Sequence, residues 1–205
     1  GDAIINQLVT EESIEEFAEK FINSELRVET TDDAIAGAMD IAAEYVSDNA
    51  DIITEIREFA ASKGVVKVEG TNAEEKSVYE MYYQYEEAVS KIPNHRILAI
   101  NRGEKEKFLK VKIALDAQQA EDIIVENADV NEKSAFYGAF IEAIKDSYKR
   151  LIYPSVEREI RNMLTERAEE EAVKVFAKNT EKLLMAPGIK HARIISIDPG
   201  YRTGC

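Results

Sequence analysis

Two stretches of this 205-residue chain hold residues whose types and spacing suit chemistry. Residues 192–200 read ARIISIDPG, an apolar strand pattern that ends on Asp198 and turns through Pro-Gly. A carboxylate at the C-terminal end of a strand is well placed to hold Mg²⁺. Mg²⁺-dependent phosphodiester hydrolysis, however, needs several acids converging from separate elements, and no acid follows Asp198 in this sequence. The competing reading is a plain Asp-Pro-Gly turn. The second stretch, residues 94–112, carries Arg96, Arg102, Lys105, Lys107, Lys110 and Lys112 against Glu104 and Glu106. Such a basic run beside a glycine turn can seat a phosphate backbone. It can equally be a solvated strand face on which Lys110 and Lys112 guard a sheet edge.

Other chemistry has little support. His95 reads as a helix-start residue and His191 as a lone linker histidine. Neither has a partner at metal-ligand spacing, so no metal is expected. The single Cys205 lacks a ligand partner, excludes an internal disulfide framework and fits a reducing cytosol. No Gly-rich phosphate loop and no nucleophile elbow occurs. The chain is therefore expected to need no cofactor and not to be an enzyme. Tyr79, Tyr82, Tyr83 and Tyr85 cannot share one helix face. They either pack with a hydroxyl reaching water or stack on nucleic-acid bases.

Charge narrows the partners. The net charge is −14, and residues 1–64 hold sixteen acids against four bases. An acidic surface repels phosphate at long range, so any nucleic-acid contact must be local and lie later in the chain. No run is long and apolar enough for a membrane span, and no signal-peptide pattern is present. A cytoplasmic location is the expectation. The opening at Gly1 without Met suggests a piece of something longer.

The elements that must position these residues are mostly helical. Residues 13–22 place Ile14, Phe17, Phe21 and Ile22 on one stripe behind a Ser13–Glu16 capping box. Residues 31–46 and 49–64 repeat the pattern, and the three helices are expected to pack as neighbours. VVKVEG at 65–70 and FLKVKIAL at 108–115 read as two strands able to pair in a small antiparallel ribbon. Between them, Thr71 and Glu74 form a capping box for a helix over the tyrosine-rich residues 77–89, ended by Pro93. A short helix follows over 94–103, with Gly103 as its stop. Pro154 is expected to open a long helix over about 155–185, whose apolar stripe is Val156, Ile160, Met163, Leu164, Ala168, Ala172, Val175, Phe176 and Leu183. Such a helix is either the core of a bundle or a connector buried on successive stretches by different partners, and the connector is favoured. The expected fold is mainly α: a multi-helix bundle with one long connector helix, a small β ribbon and an orphan C-terminal strand.

Three stretches together resemble one family. IPNHRILAINRGEKEKFLKVK, then DSYKRLIYPSVEREIRNMLTERAEEEAVKVFAKNTEKLLMAPG, then ISIDPGYRTGC look like the bacterial transcription accessory protein (Tex) family. The likeness covers roughly the last two thirds of the chain, and the acidic first third is compatible with it. The resemblance implies a large cytoplasmic protein that binds nucleic acid and influences transcription. It implies a helical N-terminal region followed by a ribonuclease-H/resolvase-like domain, helix-hairpin-helix elements and an S1-type RNA-binding domain. It divides this chain into residues 1–187, a helical N-terminal region, and residues 188–205, the truncated start of the ribonuclease-H-like domain. Asp198 then matches the first acid of a resolvase-type site whose other acids the family generally lacks. The expected role is a scaffold for the parent's RNA- or DNA-binding domains, with RNA polymerase as a further partner; the alternative is a metal-dependent nuclease acting through Asp198. The closing strand, without its sheet, is expected to be disordered or to borrow an edge.

Overall fold

The structure is a computed structural model and describes residues 1–23, 25, 28–72, 76–186, 188, 193, 195 and 196. The closing strand expected from residue 192 falls for the most part outside these. His191, Asp198 and Cys205 lie wholly outside them.

Short helix α1 spans Asp2–Ile5 and α2 spans Ile14–Glu19. The Ser13–Glu16 capping box forms as expected, with Ser13 accepting from the Glu16 N–H and Glu16 accepting from the Ser13 N–H. Helix α3, Thr31–Ser47, opens with a second such box between Thr30 and Asp33. Helix α4, Ala50–Lys63, is capped by Asn49. Helix α2 packs on α3 as expected, but α3 and α4 find their main partners later in the chain.

Strand β1 is Val65–Gly70, β2 is Gln84–Ala88 and β3 is Leu109–Ala114. They form one antiparallel sheet in the order β2-β1-β3. The β1–β3 ribbon was legible in the sequence. Strand β2 corrects the helix expected over the tyrosines. That stretch folds as one 3₁₀ turn, Glu80–Tyr82, and then as strand. Of the four tyrosines only Tyr85 lies on the strand, where its pairing with β1 fixes its side; Tyr79, Tyr82 and Tyr83 lie in or beside the 3₁₀ turn. Tyr79 and Tyr82 are buried, and Tyr85 packs edge-on to Tyr82 with ring centroids 5.5 Å apart.

Helix α5, Asn94–Lys105, runs through Gly103 instead of stopping there. Gly103 is present for space, because a Cβ at this position would meet Leu109 Cδ1 at 2.6 Å and Tyr79 Cδ1 at 3.0 Å. The helix stops two residues later, at Lys105. Lys107 adopts φ 68°, its N–H bonds the Glu104 carbonyl, and the Phe108 N–H reaches back to the Gly103 carbonyl, both at 2.9 Å. That pair of bonds is a Schellman stop.

Helix α6, Ala117–Asn127, is capped by Asp116, and α7 spans Tyr137–Ser147. Pro154 does not open a new helix. The chain stays helical from α7 through a π turn at Tyr148–Ile152 into α8, Tyr153–Leu184. Proline has no N–H to give and its ring presses on the carbonyl four residues back. The π turn widens the helix at that place, with the Tyr153 N–H bonding the Tyr148 carbonyl.

The core runs between these layers. Ile52 and Ile56 of α4, Ile124 of α6, Ile144 of α7, Ile100 of α5 and Ile113 of β3 are at most 2% exposed. Val156, Ile160, Leu164 and Ala168, four residues apart on α8, are buried against this core. Side chains of α8 also close the free edge of β3. The Ile113 N–H donates to Glu157 at 2.9 Å, and the Ile113 carbonyl accepts from the Tyr153 hydroxyl at 2.8 Å. Beyond Ala168 the helix leaves the body. Phe176 is 72% exposed and Leu183 76%, so only the first half of the expected apolar stripe is covered.

Two outcomes follow. Gly103→Ala should lower the unfolding free energy by about 1–3 kcal/mol through overpacking, whereas Gly37→Ala on α3, where a Cβ meets nothing within 4 Å, should raise it by about 1 kcal/mol. Urea titration measures both. On α8, Ile160→Ala should cost about 3 kcal/mol, while Phe176→Ala should change stability by less than about 0.5 kcal/mol; equal losses would mean that the outer half of α8 is buried after all.

Candidate nucleic-acid interface

The six basic residues picked out by sequence fall on three settings. Arg96 sits in the first turns of α5 and is half-buried. Its guanidinium donates to the Tyr85 hydroxyl at 2.8 Å and to Glu87 at 3.1 Å, and lies over the Tyr85 ring, 5.4 Å from its centroid. The Tyr85 hydroxyl donates to Glu87 in turn. Burial, then the bond to Glu87, pushes the Tyr85 phenol above its ordinary pKa. Arg96 is thus held in a structural triad that ties α5 to β2.

Lys112 lies on the open face of the sheet. Strand register puts Lys67, Glu69, Gln84, Glu86, Lys110 and Lys112 on that face, opposite the buried Val66, Val68 and Ile113. Lys67 pairs with Glu86 at 2.9 Å and Lys112 with Glu69 at 3.6 Å. These are exposed pairs of small energetic weight, but they leave this face close to neutral.

Of the remaining four, Arg102, Lys105 and Lys107 surround the turn from α5 into β3, and Lys110 follows it on the open sheet face, in register with Glu69. All four are exposed, and none has an ion-pair partner among the described residues. The two acids of the stretch turn elsewhere. Glu104 forms a bidentate pair with Arg161 of α8. Glu106 accepts from the Tyr79 hydroxyl at 3.0 Å, and burial together with this bond raises the Tyr79 phenol's pKa. The Tyr79 ring also packs on Phe108, with centroids 5.8 Å apart. The tyrosines therefore pack and brace, and the exposed surface of the turn carries the cations with the Glu106 carboxylate among them.

One member of this set is held at a cost. Lys107 occupies the left-handed position of the helix stop, where glycine is the usual residue. A lysine there carries backbone strain that a glycine would not.

The polar groove between α5 and α8 was not picked out from sequence. It has a volume of about 320 Å³ and is lined by Asn101, Glu104, Glu157, Arg158, Arg161 and Thr165, among others. Asn101 donates to Thr165 at 2.9 Å across it. Its sequence signal is weak: polar residues flanking a buried helical stripe look the same whether they face solvent or a neighbouring helix. Among the described residues, no group of three or more His, Cys, Asp or Glu is placed to hold a metal ion, and no helix is long and apolar enough to cross a membrane.

Residues 10–176 match a protein-family model described as Tex central region-like. The chain is 41% identical over 191 residues to an uncharacterized protein of Bacillus subtilis, covering 92% of this chain and 27% of that protein. It is 30% identical over 207 residues to Protein tex of Bordetella pertussis, covering 92% and 26% respectively. It is also 30% identical over 190 residues to the human S1 RNA-binding domain-containing protein 1, covering 86% of this chain and 19% of that protein. The chain thus spans about a quarter of the length of its bacterial relatives and less of the human one. A family match over residues 10–176, which takes in the basic stretch and most of the long helix, shows that the protein belongs to the Tex family.

Proposed function

We propose that this chain is the non-catalytic framework of a cytoplasmic Tex-family protein, and that its α5–β3 turn touches the backbone of RNA. The observation that carries this reading is the ion pair of Glu104 with Arg161 of α8. It leaves Arg102, Lys105, Lys107 and Lys110 exposed around the turn with Glu106 as the one acid of the stretch outside an ion pair among the described residues, in a chain whose net charge is −14. Phosphate contacts of this kind position a nucleic acid without reading its sequence. The names of two relatives, a transcriptional accessory protein of Neisseria gonorrhoeae and the human protein with an S1 RNA-binding domain, support the same class of partner. In this reading the outer half of α8 seats the parent's nucleic-acid-binding domains. RNA polymerase is a further proposed partner of the assembled protein. Catalysis has no part in it.

The strain at Lys107 fits a functional cation. A glycine would make a better helix stop, and the lysine adds positive charge at the apex of the turn.

The test is a salt titration of binding to a fluorescent single-stranded RNA. The chain should bind weakly, and only at low salt. Each phosphate neutralised adds about −0.7 to the slope of log K against log salt, so four contacts give a slope near −3. Changing Arg102, Lys105, Lys107 and Lys110 together to Ala should abolish binding. Arg96→Ala should lower the melting temperature and leave the slope unchanged. Lys107→Gly should raise stability by about 1 kcal/mol while weakening RNA binding. Equal binding by the chain and the fourfold variant would remove the RNA contact and leave only the framework role.

A further inference from the structure

An apolar groove of about 440 Å³ lies at the other end of the molecule, between α1, α2 and α3. Its floor is Ile4, Phe17, Ala18 and Phe136, with the Phe17 and Phe136 rings 5.4 Å apart. Its rim includes Phe21, 59% exposed, and Ile41, 52% exposed. Gly37 of α3 opens it further, since nothing lies within 4 Å of where its Cβ would be. Single exposed apolar side chains need no explanation, but a concave set with a buried aromatic floor has the shape and size of a binding groove.

Among the described residues, acids dominate the charge around it. Asp2 and Asp33 line the groove, Glu15 and Glu19 stand exposed on α2, Asp32 on α3, and Glu29 just before α3. The nearby cation Lys20 is already engaged, paired with Glu12 and placed over the Phe17 ring. Helices form most of the wall. Their backbone groups are satisfied, so an added strand finds little to pair with. The recognition mode left is a helix laid in a groove, read through anchors at i, i+3, i+4 and i+7.

From this geometry and charge we propose that the α1–α2–α3 groove receives an amphipathic helix of a partner protein, its apolar face flanked by lysine and arginine. The outer half of α8 in a second copy has a similar character, with Lys174, Lys178 and Lys182 beside Val175 and Phe176. That contact joins two different surfaces, so it builds rings or open filaments, and each copy brings a charge of −14 against the other. A separate basic helix meets neither obstacle. This inference uses a surface apart from the α5–β3 turn and stands or falls independently of RNA binding.

The probe is a fluorescein-labelled peptide of about 15 residues, with leucines at i, i+3, i+4 and i+7 and lysines on its flanks. Fluorescence anisotropy against the full 205-residue chain should give saturable binding at physiological salt. Gly37→Leu, which fills the groove without touching the core, should weaken binding by at least about tenfold with no loss of melting temperature. Phe21→Ser should weaken it as well. A peptide with the leucines shuffled off one face, and one with glutamate in place of lysine, should not bind. Equal binding to the chain and to Gly37→Leu overturns the proposal, as does equal binding of the glutamate peptide. Self-association in sedimentation that Gly37→Leu abolishes also overturns it, because a second copy then owns the groove.

Discussion

The passage of one helix through a proline governs this fold. Pro154 lies where a straight α-helix would break, and the π turn at Tyr148–Ile152 absorbs it. Because the helix survives, Ser147 of α7 and Val156 of α8 belong to one continuous rod that touches both halves of the molecule. Just upstream of the turn, the buried Ser147 hydroxyl donates to the Ala43 carbonyl of α3 at 2.7 Å, and within it Arg150 bridges Asp40 and Asp146. Downstream, Val156, Ile160 and Leu164 fill the core beneath α4, α5 and the sheet, and Tyr153 and Glu157 close the β3 edge. A break at residue 154 would loosen the tie between the α1–α3 end, with its acidic groove, and the α5–β3 end, with its cations.

Legibility in the sequence followed how local each cause was. The Ser13 capping box, the α3 and α4 periodicities and the β1–β3 pair each depend on neighbours in sequence or on simple alternation, and all could be read. The tyrosine stretch could not. Its helix-like signals were overridden by pairing with β1, a contact set by register and burial rather than by propensity. Gly103 looked like a stop because glycine commonly is one, yet its reason is the close approach of Leu109 and Tyr79 from other elements. Pro154 looked like a start for the same kind of reason, and the π turn that admits it has no sequence signature.

The candidate site shows the same limit. Residue type and spacing gathered all six cations of 94–112, but only tertiary contacts sort them. Arg96 is taken by Tyr85 and Glu87, and Lys112 by Glu69; four remain. Of the two acids interleaved with them, Glu104 is neutralised by Arg161, while Glu106 keeps its charge and accepts from the Tyr79 hydroxyl. Local field depends on which charges are already paired, so a stretch that looks mixed in sequence can present a more positive surface than its count suggests.

The outer half of α8 raises the question of why sixteen residues without burial stay helical. Isolated helices of that length are marginal in water because the first turn must be nucleated before any bond repays it. Here the nucleus is supplied by the buried half, so each further residue adds one hydrogen bond at propagation cost only. Composition helps: residues 169–184 contain no glycine or proline, and Glu170 stands four residues before Lys174, the favourable order for a helical pair. The exposed Val175, Phe176, Leu183 and Leu184 contribute little to holding the rod straight. Their apolar surface is left over after the core is satisfied: the helix draws its stability from one end, and its exposed apolar side chains lie at the other.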